Sequence, residues 1–84
     1  MYYDVAEALP GKDFCLKVRF VDGLSGTIRF LPSFFRGVFT HLKDDAQFAE
    51  VRVVDGVVTW PGELDLAPDA MHLAIKTAGE WVLD

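Results

Sequence analysis

Glu63, Asp65 and Asp69, just after Trp60-Pro61, come nearest to residues whose type and spacing could do chemistry. Carboxylates this close in sequence can hold a cation or act as an acid–base pair beside an aromatic ring. They also have a plainer account: Asp69 suits the first turn of a helix, Glu63 and Asp65 suit an exposed loop, and Trp60 suits a core or sheet edge. His41 and His72 are the only histidines, and neither has a partner four residues away or in a Cys/His ligand spacing. Gly23-Leu24-Ser25-Gly26 is turn chemistry, and no nucleophile elbow or phosphate-binding glycine loop occurs. The single cysteine, Cys15, lies in a strand-like run and reads as a small buried hydrophobe rather than a reactive thiol. The residues therefore predict no catalytic group, no cofactor and no metal, and a protein that is not an enzyme.

Placing those residues requires a fold, and composition limits it. An 84-residue chain with 51% hydrophobic and 25% charged residues has the make-up of one globular domain. A domain of this size buries roughly 60 to 65% of the surface its unfolded chain exposes. The apolar runs fall far short of the roughly 20 residues that span a bilayer, and the first residues, MYYDVAEA, have an acidic flank rather than a basic one. With a lone cysteine that cannot close an internal disulfide, these features predict a soluble, untargeted, cytoplasmic protein. Charge is uneven: residues 1–43 carry six basic and four acidic side chains (+2), and residues 44–84 carry two basic and nine acidic (−7). Such a chain lacks the basic face that phosphate neutralisation needs, so direct nucleic-acid binding is not expected, and its acidic half suits a basic protein.

Hydrophobic alternation identifies the elements. Phe14, Leu16, Val18 and Phe20 alternate with Cys15, Lys17, Arg19 and Val21, the period of a half-buried strand. Asp22-Gly23 then turns the chain into Thr27–Leu31, which puts Arg29 beside Lys17 and Arg19 on the outer face, as a solvated surface or a binding patch. Pro32-Ser33 ends this strand. Phe34, Phe35, Val38, Phe39 and Leu42 recur at spacings that predict a turn at 33–36 and a helix of about two turns after it. Asp44 or Asp45 caps a further turn that brings Phe48 to the core. Val51–Val54 and Val57–Trp60 flank Asp55-Gly56, the strongest hairpin signal in the chain, and Leu64 and Leu66 continue the alternation. Pro68 opens a last helical turn through Met71, Leu73 and Ala74. Beyond Gly79, Trp81, Val82 and Leu83 make the tail apolar enough to dock or to form an interface.

The order and spacing of V-x-F-x-D-G (Val18–Gly23), G-V-F-x-x-L-K-D (Gly37–Asp44), Phe48 to Val53, Trp60-Pro61 and D-L-x-P-D (Asp65–Asp69) resemble the domain of unknown function 2442 family. The resemblance covers about residues 3–74. It implies a small prokaryotic α+β protein, some of whose relatives carry a helix-turn-helix domain and often lie beside a second small gene in what look like toxin–antitoxin pairs. This chain has no helix-turn-helix segment, and its tail runs past the usual motif.

Together these readings predict one α+β domain over residues 1–76, with an antiparallel sheet of about five strands built from hairpins and short helices on one face, and a docked or interfacial tail at 77–84. The expected core includes Phe14, Leu16, Val18, Phe20, Ile28, Phe30, Phe39, Leu42, Phe48, Val51, Val53 and Val58. The expected role is a protein-interaction module, antitoxin-like or regulatory, whose partner is a basic protein such as a neighbouring gene's product, or a second copy. Trp60, Glu63, Asp65, Asp69, Trp81, Val82 and Leu83 are the candidate contact residues. The alternative is a small enzyme or a ligand- or cation-binding domain using the carboxylates near Trp60.

Overall fold

The computed structural model describes residues 3–62 and 64–84. Among them the chain forms β1 (Val5–Pro10), β2 (Cys15–Phe20), β3 (Ser25–Phe30), two short 3-10 turns (Pro32–Phe34 and Gly37–Lys43), α1 (Asp45–Phe48), β4 (Arg52–Val54), β5 (Val57–Trp60), β6 (Leu64–Leu66), α2 (Pro68–Ala78) and β7 (Glu80–Leu83). The class is α+β, but the strands make two sheets in place of one five-stranded sheet. One has the order β1-β2-β3-β7 and the other β4-β5-β6. Pairing is antiparallel except between β3 and β7, which run parallel.

The two-sheet outcome has a local and a distant cause. Asp55 and Gly56 both take positive φ (52° and 80°), the conformation that lets a two-residue turn match strand twist, so β4 and β5 pair with each other at once. After Pro61-Gly62 the chain pairs again as β6, which completes a meander with no call on the first sheet. The strands missing from a local reading are the outer ones. β1, VAEALP, is rich in helix formers and buries only Val5, so its own pattern does not announce a strand; β2 recruits it. β7 is recruited by β3, about fifty residues earlier in the chain.

Alternation behaves as expected on β2 and β3. Leu16, Val18, Phe20, Ile28 and Phe30 are buried, while Lys17, Arg19 and Arg29 stand on the exposed face. Phe14 precedes the strand in a left-handed conformation (φ 56°), yet its ring reaches Phe35 and Phe48 at 5.0 and 5.4 Å between centroids. The two-turn helix expected after residue 36 is instead the 3-10 segment Gly37–Lys43, which starts from a left-handed Gly37 and bonds the Thr40 hydroxyl to the Gly37 carbonyl at 2.9 Å. Asp44 is the cap: its Oδ1 accepts the Ala46 N–H at 2.8 Å. Phe39 is only half-buried here, as are Phe14, Val51 and Val53. Val5, Phe35, Trp60, Leu64, Leu66, Met71 and Ile75 join the core in addition to the residues expected there.

α2 is longer than the single turn expected. Pro68 begins it, Asp69 and Lys76 suit the dipole at its two ends, and Met71, His72 and Ile75 face inward while Leu73 stays 67% exposed. Gly79 ends it in a left-handed cap (φ 78°) whose N–H bonds the Ile75 carbonyl at 2.7 Å. The chain then drops directly beside β3, because Gly26 has no side chain there: a Cβ would stand 2.6 Å from Ile75 Cγ2 and 2.7 Å from the Gly79 carbonyl oxygen.

Gly26→Ala is therefore expected to destabilise by about 1–3 kcal/mol through overpacking against backbone. Gly56→Val should cost more than about 1 kcal/mol, since it combines a left-handed φ with a Cβ 2.6 Å from Asp4 Cγ. Urea unfolding midpoints check both, and wild-type stability in either variant would refute the corresponding contact.

Candidate interaction edge

β7 reaches its place through α2 and holds it with a parallel ladder. Thr27 N–H donates to the Gly79 carbonyl at 3.3 Å and Leu31 N–H to the Leu83 carbonyl at 2.9 Å, in the register Thr27↔Glu80 through Phe30↔Leu83. In a parallel pair one residue in two turns its N–H and C=O toward the partner. Residues 79, 81 and 83 thus serve β3, and the backbone groups of Glu80, Val82 and Asp84 point away from it. No strand among the described residues pairs with that side. Side chains alternate the other way: Trp81 and Leu83 turn inward and pack half-buried on the core, while Glu80 and Val82 stand on the outer face with Val82 45% exposed. Glu80 meets Arg29 of β3 at 3.3 Å.

The remaining sheet edges carry the devices that discourage strand addition. β1 is bulged between Val5 and Glu7, ends in Pro10, and spends the Val5 N–H on the Gly56 carbonyl at 2.9 Å. β4 and β6 are three residues each, and β6 is followed at once by Ala67-Pro68. β7 has no proline, lysine or bulge.

Of the other candidate residues, Trp60 and Asp65 line one surface hollow and Asp69 lies apart from them. The Trp60 ring is in the core, 1% exposed, with its N–H donated to the Phe48 carbonyl at 2.9 Å. Asp65 accepts the Thr59 hydroxyl at 2.5 Å across the β5–β6 pair, in a surface hollow of about 520 Å³ that Trp60, Arg52 and Asp55 also line. Asp69 lines a different hollow of about 380 Å³ with Tyr3, His72 and Lys76. Glu63 lies outside the described residues. Among those described, no three His, Cys, Asp or Glu side chains stand where they could share a metal ion. Cys15 is half-buried and its thiol approaches the Asp13 carbonyl at 3.7 Å.

One polar pair escapes any reading of local spacing. His72, only 8% exposed, places Nε2 2.8 Å from Asp22 Oδ2, fifty residues away on the β2–β3 turn. The ring lies between Tyr3 and Phe20, at centroid distances of 4.9 and 4.8 Å. A carboxylate only accepts, so Nε2–H donates to Asp22 Oδ2. Hydrogen bonding to His72, and then to the Leu24 N–H, holds the Asp22 carboxyl below the usual carboxylate range. A depressed carboxylate contributes stability that is fully present above its unfolded value, about pH 4, and is lost as pH falls through the lowered folded value. Asp22→Asn should thus remove one component of the acid limb below about pH 4, read as urea midpoints between pH 2.5 and 6; an unchanged acid limb would show that the pair does not couple to folding.

No helix among the described residues is long and apolar enough to cross a membrane. No curated protein and no solved structure matches the chain. A family model does match, the protein of unknown function DUF2442, over residues 5–77, which takes in every element from β1 through nearly all of α2 and stops short of β7. A match over this much of the 84 residues places the chain in that family, and it is a member of the DUF2442 proteins of unknown function.

Proposed function

We propose that this protein acts by holding another protein, as the antitoxin-like or regulatory partner in a small gene pair, and that the protein it holds is basic. The observation that carries this reading is the β7 edge: an unguarded row of backbone donors and acceptors flanked by Glu80 and Asp84. The charge of −7 over residues 44–84 supports a basic partner, because opposite charge speeds encounter and selects against acidic competitors. The reading assigns the chain no catalysis. The alternative, a ligand or cation held by carboxylates near Trp60, has less support: the Trp60 ring is buried, Asp65 is engaged by Thr59, and Asp69 lines a separate hollow.

The test is a titration of the full chain against the product of the neighbouring gene, at about 50 and about 500 mM salt, with wild type and Val82→Pro. Val82 N–H points away from β3, so proline there leaves the internal ladder intact and blocks only the outer edge. Affinity should fall about tenfold or more with salt and be lost with Val82→Pro. Tight DNA binding by this chain alone, or partner affinity indifferent to both changes, would overturn the proposal.

A further inference from the structure

We infer that β7 takes an extended segment of its partner as an added strand, and that this segment reads basic–apolar–any–apolar–basic. The inference rests on the interaction reading above and gives it a sequence. A strand laid against β7 bonds the outward N–H and C=O groups of Glu80, Val82 and Asp84, and its side chains then alternate as those of β7 do. Its residues opposite Trp81 and Leu83 fall on the inner face, where both are half-buried against the core at the sheet's rim, so apolar side chains there extend the core. Its residue opposite Val82 stands on the outer face and tolerates any strand former. Its residue opposite Asp84 meets a carboxylate on the outer face and its residue opposite Glu80 meets one shared with Arg29, so lysine or arginine is favourable, most at the Asp84 end, and glutamate or aspartate is not.

The same charges argue against a second copy of this chain as the occupant. Two β7 strands paired antiparallel about Val82 set Glu80 of each against Asp84 of the other, two like-charge pairs where the partner segment makes two opposite-charge pairs.

The probe is a capped peptide with the core Lys-Val-Thr-Val-Lys, compared with Glu-Val-Thr-Val-Glu and with the lysine peptide N-methylated on the amides that would face β7. Binding to the full chain is read by fluorescence anisotropy and by backbone amide shifts. The lysine peptide should bind at least about tenfold tighter than the glutamate peptide, shift the amides of residues 80–84, and lose binding on N-methylation and with Val82→Pro. Val82→Lys, which keeps the backbone donor, should weaken the lysine peptide as well, and serves if the proline variant unfolds. Equal binding of the two charge forms, shifts confined to the hollow beside Asp65, or a wild-type dimer that Val82→Pro dissociates would each overturn the inference. Failure of the lysine peptide while Val82→Pro still abolishes capture of the neighbouring gene's product would reject the segment's chemistry alone. Capture of that product undiminished by Val82→Pro would reject the edge, and the interaction reading built on it, as well.

Discussion

Phe30, on the inner face of β3, touches the rings of Phe34, Phe35, Phe48 and Trp60, and through them it joins the first sheet to the 3-10 turns, to α1 and to the second sheet. Most of these contacts are edge-to-face, the arrangement that aligns the positive ring edge with a negative face and adds to what burial alone supplies. The second sheet is too narrow to be stable by itself, with strands of three and four residues. It persists because Trp60 on β5 packs into this cluster and anchors its N–H on the Phe48 carbonyl. That hydrogen bond satisfies a buried indole on the last carbonyl of α1, which also accepts the Val51 N–H at 3.3 Å.

With the aromatic cluster occupying one end of the inner face, α2 has only the other end to cover. Its approach is close because Gly26 admits Ile75, and its stop is abrupt because Gly79 adopts a left-handed cap. The consequence is a parallel strand at the sheet margin, an arrangement that needs a crossover, which the whole stretch from residue 31 to 79 provides. The functional edge therefore depends on a packing event remote from it: where α2 ends decides which backbone groups of residues 80–84 are left outward.

His72 and Asp22 tie the middle of this crossover helix to the β2–β3 turn, and Gly26 admits its last turn against β3. The Tyr3 and Phe20 rings, tilted and edge-on to the imidazole, close the apolar side of the pair. The histidine thus has a positional role that its lack of neighbours in sequence conceals.

What the amino-acid order determined by itself is the set of features that depend on a few adjacent residues. The Asp22-Gly23 and Asp55-Gly56 turns, the alternating face of β2 and β3, the Asp44 cap and the Pro68 helix start all follow from dihedral limits, side-chain period and local hydrogen bonding. Trp81, Val82 and Leu83 were legible as apolar residues in need of cover, but not as a parallel edge strand. Only the tertiary structure decided that β1 and β7 are strands, that the strands divide into two sheets, that Trp60 is core, and that His72 meets Asp22. Each of these pairs groups far apart in sequence. Their partners are selected by which apolar faces can be covered together once chain entropy is spent, and no window of neighbouring residues contains that information.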